Sequence, residues 1–312
     1  MQWQKLGLIF MPDTQHAWSQ THAQVPTVDA LSNKIWRIYY CARDAGNQSR
    51  ISYFDVEAGN PKHVLYRHDA PILQLGKLGT FDDAGMMPSS IVTVDGAKYL
   101  YYTGWNVRKS VPYQNTIGLA ISRDGGQTYE RAGEGPVLGP SLYEPYFIGT
   151  ATVVHEDGLW RNWYAACTGW EMIGGNAEPR YHLKYAESRD GIEWRRDGGV
   201  AIDYKDAQEG GLVRAAVVRE SGRYLMWYAR RDALGYRNER QHSYRIGYAE
   251  SPDGIRWKRL DGQAGIDVSH SGWDADMIAY PHVVQTDSTS FLFYNGNGFG
   301  QSGIGVAQRP RS

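Results

Sequence analysis

The strongest constraint on this 312-residue chain is a unit that it repeats five times along its whole length. A short strand ending in a polar turn recurs as ISYFDVE from Ile51, IGLAISRDGG from Ile117, LKYAESRDG from Leu183, IGYAESPDG from Ile246 and IGVAQ from Ile304. An aromatic strand precedes it each time: WRIYYCARD from Trp36, KYLYYTGW from Lys98, RNWYAACTGW from Arg161, RYLMWYARRD from Arg223 and SFLFYNGNG from Ser290. A third marker comes before both, as PTV at Pro26, SSIV at Ser89, ATVV at Ala151, AAVV at Ala215 and PHVV at Pro281. Short β-rich segments joined by Asp-Gly turns read as antiparallel hairpins. A four-stranded sheet cannot bury both faces alone, so the units must stack on one another. Radial stacking predicts an all-β, five-bladed propeller of four-stranded antiparallel blades.

The last unit supplies only three strands, whereas Trp3 to Phe10 resembles the fourth strands that follow Trp194 and Trp257. The N-terminal strand is therefore expected to close the last blade and cover its open edge. This gives a single domain, 1–312, with blades at about 20–75, 76–139, 140–203, 204–268, and 269–308 plus 2–11. The 33 basic and 34 acidic residues nearly cancel, and no Lys/Arg run offers a phosphate track, which argues against a nucleic-acid partner. No apolar run reaches the length of a membrane span, and the first residues lack the pattern of a signal peptide. Cys41 and Cys167 read as free thiols of a reducing compartment, so a cytoplasmic location is expected.

Loop lengths separate the two faces of such a ring. Turns between first and second strands, and between third and fourth, are short. The opposite connections are long and rich in Trp, Tyr, Arg and carboxylates: 105–115, 170–182, 230–244, and the interblade segments 15–22, 81–87, 144–147 and 272–280. Binding groups gather on loops held by a rigid scaffold. Aromatic faces with charged and amide groups suit a polyhydroxylated ligand, so a small-molecule or oligosaccharide substrate is expected at this face. The Ser-Xaa-Asp-Gly turns at Ser122, Ser188 and Ser251 lie on the trimmed face and read as structural.

Several motifs carry a family likeness: Phe81-Asp82-Asp83-Ala84-Gly85-Met86-Met87-Pro88, Tyr101-Tyr102-Thr103-Gly104-Trp105, Glu144-Pro145-Tyr146, Tyr185-Ala186-Glu187-Ser188 and Gly272-Trp273-Asp274-Ala275-Asp276-Met277. With them the whole chain resembles the five-bladed propeller glycosidases, the superfamily of arabinanases, xylosidases, invertases and levansucrases. The resemblance implies a base or nucleophile, a supporting aspartate and a general acid at the inner ends of the first strands of blades one to three. The sequence departs from that pattern. Val25-Pro26, Met87-Pro88, Gly149-Thr150 and Val213-Arg214 stand at the inner ends, and the acids lie several residues away.

The displaced acids give the candidate catalytic set Glu144, Asp83 and Asp276. Glu144 precedes Pro145, which favours extended backbone, and burial among aromatic residues would raise its pKa and suit a proton donor. Asp83 stands before the Gly85 bend, while Asp276 shares a face with Asp274 if that stretch is a strand. The candidate substrate-binding set is His22, Gln24, Trp105, Tyr146, Trp170, Arg214, Arg230, Tyr280 and His282. Arg214, at the inner end of blade four, suggests a carboxylate or phosphate on the sugar. No cofactor is expected. A single central ion, Ca or Zn, if present, would lie near His282 and His22, and the resemblance implies a metal neighbour for His282. The leading expectation is a glycoside hydrolase or transglycosidase acting on an acidic or phosphorylated sugar. The alternatives are a non-catalytic carbohydrate-binding or scaffold propeller, and a His-dependent, possibly metal-assisted enzyme of another class.

Overall fold

The computed structural model describes residues 2–12 and 14–311. Five antiparallel sheets surround an axis. Their inner strands are Thr21–Ala30, Gly85–Val94, Ile148–Glu156, Glu209–Glu220 and Ala279–Gln285. Each inner strand neighbours the next, and the fifth returns to the first, which closes the ring. The second and third strands of each unit form the repeated hairpin, for example Ala97–Val107 with Tyr113–Ser122. Outer strands are shorter: Asn60–Arg67, Glu130–Arg131, Trp194–Arg195 and Lys258–Arg259. Among the described residues no helix is long and apolar enough to cross a membrane.

The outer strand of blade five is Gln4–Phe10, which pairs with Ile304–Pro310 as expected. Its apolar residues enter both flanking seams. Trp3, just ahead of the strand, meets Trp227 of blade four edge-on at 5.3 Å, and Phe10 stacks on Phe54 of blade one at 4.0 Å. Chain closure therefore joins the two ends of the sequence through the core. The core as a whole is five clusters, one between each pair of adjacent blades.

The Ser-Xaa-Asp-Gly turns act as staples between blades. Ser122, Ser188 and Ser251 each accept a backbone N–H through Oγ, from Gly126, Gly191 and Gly254 respectively. Each of those glycines then offers its carbonyl to the preceding blade, accepting from Arg37 at 2.9 Å, Tyr101 at 2.7 Å and Trp163 at 2.8 Å. Replacing Ser188 by Ala is expected to leave the buried Gly191 N–H unpaired and to cost about 1–3 kcal/mol in chemical denaturation. Ligand affinity should not change, because the turn lies on the face opposite the long hairpins.

Candidate functional site

All five inner strands carry the same irregularity. Their register with the second strand slips between Gln24 and Thr27, Pro88 and Ser90, Gly149 and Thr152, Val213 and Ala216, and Ala279 and His282. In four blades a residue at the slip has left-handed backbone: Val25 (φ 56°), Thr150 (φ 48°), Arg214 (φ 56°) and Tyr280 (φ 52°). Such angles are unfavourable for branched and bulky side chains, so the surrounding ring must hold them. In blade two Pro88 stands there, and its ring forbids a positive φ. A bulge re-aims the side chains beside it. Here the bulges end the regular inner wall and open a cavity of about 330 Å³ above it.

Gln24, Met87, Gly149, Thr150, Val213 and Tyr280 line that cavity from the inner strands. Met87, Gly149 and Thr150 are among the positions where the superfamily resemblance implies carboxylates, and none of the six is acidic. The wall above is aromatic and amide-bearing, built from Trp105, Tyr113, Asn115, Phe147, Tyr181 and Tyr244, with Arg43 and Arg237 as its cations. Among the described lining residues there is no Asp or Glu.

The expected acids are elsewhere. Glu144 is 1% exposed, and its carboxylate accepts from Lys184 Nζ at 3.0 Å, Arg196 Nη1 at 3.1 Å, Tyr164 Oη at 3.2 Å and Ser141 Oγ. Burial alone would push its carboxyl up, but the hydrogen bonds from Ser141 and Lys184 and the two cations hold it below the ordinary carboxylate range. The expectation of a raised pKa is therefore corrected, and a proton donor is not what this environment makes. Asp83 accepts the Gly79 N–H at 2.8 Å and caps the interblade turn. Its neighbour Asp82 is the buried member of the pair, held by Tyr102 Oη at 3.0 Å and Arg131 Nε at 2.9 Å. Asp276 is exposed at the rim, and its backbone N–H donates to Asn297 Oδ1 at 2.7 Å. None of the three candidates lines the cavity.

Of the expected binding residues, Gln24, Trp105 and Tyr280 do line it. Trp170 stands one layer behind, edge-on to Tyr113 at 5.3 Å and Phe147 at 5.6 Å. Tyr146 points outward at 39% exposure, and Phe147 takes the inward place. Arg230 lies near Asp261 at 3.7 Å, whereas Arg231 is buried behind the wall. There Arg231 stacks on Tyr236 at 3.8 Å and donates through Nε to Tyr181 Oη at 3.0 Å. Tyr181 and Tyr244 in turn share a hydroxyl–hydroxyl hydrogen bond. His22 bonds Thr21 Oγ1 at 2.8 Å, and burial together with the charge of Arg43 pushes it down to about 4, so it is neutral at neutral pH. Arg214 and His282 lie below the cavity floor and bond each other. His22 and His282 are thus engaged separately, and among the described residues no group of three or more His, Cys, Asp or Glu side chains is placed to hold a metal ion.

Two cations face the cavity, in different states. Arg237 makes a two-pronged pair with Glu178, at 3.0 Å for each bond, so its charge is compensated. Arg43 donates Nε to Gln24 Oε1 at 3.0 Å and has no carboxylate partner among the described residues. Among the described residues the cavity is therefore an aromatic cup with one uncompensated guanidinium. Asn115 and Tyr181 were legible only through their place, since each stands where a third strand leaves a long hairpin, whereas Arg43 ends a second strand at a short hairpin.

No protein-family model matches the chain. The Mycobacterium tuberculosis (strain ATCC 25618 / H37Rv) protein called uncharacterized protein Rv1502 is 38% identical over 307 residues, covering 98% of this chain and 99% of the relative. The chain belongs to the Rv1502 family, and its fold is a five-bladed propeller. Solved structures share the Rv1502-family fold. One described as a glycoside hydrolase superposes with a TM-score of 0.73 at 18% identity, over 99% of this chain and 93% of that one. A thermostable family-43 glycoside hydrolase gives 0.69 at 17% identity, over 93% and 89%.

Proposed function

We propose that this protein takes a sugar in the cup at the mouth of the propeller, and that the sugar bears a negatively charged group, a carboxylate or phosphate, which Arg43 receives. The uncompensated guanidinium among aromatic rings and amides is the observation that carries this reading. Trp105 and the tyrosines offer faces to the apolar side of a sugar ring, while Gln24, Asn47 and Asn115 offer hydrogen bonds to hydroxyls. A cup of about 330 Å³ suits a terminal sugar unit better than a long polymer. Cleavage by two carboxyl groups set about 5–10 Å apart across the bond finds no pair in this lining, so recognition is the favoured activity.

A second reading, cleavage or transfer at a glycosidic bond, is favoured by the glycoside hydrolases that share the fold. We also propose the cytoplasm as the compartment, because Cys41 and Cys167 are buried, unpaired thiols in separate blades. Calorimetric titration with a methyl uronide and the matching neutral methyl glycoside tests the main proposal. The uronide should bind at least about tenfold more tightly, the yield of one charge-assisted hydrogen bond. Equal affinities would remove the anionic group from the proposal.

A further inference from the structure

Arg214 carries its guanidinium from blade four to the inner strands of blades one and five, and its surroundings are unusual for a charge. It is 1% exposed, at a left-handed bulge of blade four. Its Nη2 donates to the Pro26 carbonyl at 2.9 Å, to Thr27 Oγ1 at 2.9 Å and to His282 Nδ1 at 3.1 Å. All three acceptors are neutral. Its Nε is buried without a partner, and no carboxylate of the described residues touches it. Burying a cation without a counter-charge costs several kcal/mol, and one partner of opposite charge removes much of that cost. Burial with nothing opposing it draws the Arg214 pKa down to about 9, in keeping with that isolation.

His282 extends the arrangement away from the cup. Its Nδ1 accepts from Arg214, so the neutral ring carries its proton on Nε2. That N–H has no acceptor among the described residues. Burial and then the Arg214 charge press the ring pKa well below its ordinary value, so it does not become a second cation. His282 lines a separate axial channel of about 270 Å³, walled mostly by Val, Ala and Ile from all five inner strands. No Asp or Glu lines this channel among the described residues. Glu220, which accepts from Gln285 at the channel wall, is already paired with Arg309.

We infer that the axial channel is a binding site for a small monovalent anion of the halide class, seated against His282 Nε2–H with Arg214 as its counter-charge. Val, Ala and Ile side chains make up most of the wall, the Ser90, Thr152 and Gln285 side chains already donate to other groups, and the His282 N–H stays open, which together favour an ion that gives up its water easily and carries one charge. Sulfate or phosphate would keep a second charge uncompensated and lose many hydrogen bonds to water. A metal cation is disfavoured by the same geometry, because the guanidinium occupies the His282 nitrogen and repels positive charge. The site is distinct from the sugar cup, which lies on the other side of Arg214.

Crystals of the full chain soaked in sodium bromide test the inference. One bromide anomalous peak is expected inside the ring, within hydrogen-bond reach of His282 Nε2, and it should vanish in Arg214→Met. In solution, thermal unfolding at constant ionic strength should shift upward and saturate as sodium gluconate is exchanged for sodium chloride, and the shift should be lost in the variant. His282→Phe, which removes the donor and keeps Arg214, should lose the peak as well, and it covers the case in which Arg214→Met does not fold. No axial peak in the wild-type protein, a peak retained in either variant, or equal stability in chloride and gluconate would overturn the inference.

Discussion

Replacing Glu144 by Gln is expected to destabilise the fold by about 3–5 kcal/mol, the usual cost of breaking a buried ion pair from one side. Lys184 and Arg196 would remain buried beside a neutral amide, with 9% and 16% side-chain exposure. Ligand affinity of the folded protein should stay as in the wild type, since Glu144 does not line the cup. The sign of the pH dependence follows from its lowered pKa. A carboxyl held below its unfolded value stabilises the fold above the ordinary carboxylate range, and that contribution disappears as pH falls through the folded value. Urea unfolding across the acid range should therefore show a shallower loss in Glu144→Gln than in the wild type. An unchanged unfolding midpoint, coupled with a change in ligand handling, would return Glu144 to the site.

Replacing Arg43 by Met is expected to weaken binding of a methyl uronide by about 10- to 150-fold, the equivalent of about 1.5–3 kcal/mol for a hydrogen bond to a charged group. Affinity for the neutral glycoside should change far less. Arg43 is half-buried and bonds one neutral amide, Gln24, so the fold should tolerate the change better than it tolerates a change at Glu144. Arg43→Lys should recover only part of the affinity, because an ammonium lacks the planar fork that matches a carboxylate. Titrations of the three proteins against the charged and neutral ligands separate these cases. Equal losses for both ligands would mean that Arg43 shapes the cup without reading charge.

The architecture was legible because its signals are local and repeated. Asp-Gly turns, aromatic second strands and apolar inner strands recur in phase, and the spare strand Gln4–Phe10 has one open edge to fill. The elaborated face was legible for the same reason, since hairpin length is written in the sequence. Individual site residues were not. Asp83 was expected where Asp82 is the buried residue, Arg230 where Arg231 is, and Tyr146 where Phe147 faces inward. Each pair is offset by one residue. In extended chain a shift of one turns a side chain to the opposite side, and a bulge changes that phase with no mark in composition. Arg214 shows the same effect at the axis, where its left-handed backbone sends the guanidinium below the floor and not into the cup. Glu144 had a further obstacle, because the cations that neutralise it lie 40 and 52 positions away along the chain. The missing carboxylates at Met87-Pro88 and Gly149-Thr150 were readable, and the structure gives them their weight by placing Met87, Gly149 and Thr150 against the cavity.

A crystal structure of the protein with a methyl uronide bound is the most direct test of the sugar cup. The ring should lie within the cup against Trp105 and the tyrosine wall, with its carboxylate in hydrogen-bond contact with the Arg43 guanidinium. A ligand seated against Glu144, Asp83 or Asp276, or bound outside the propeller mouth, would contradict the account.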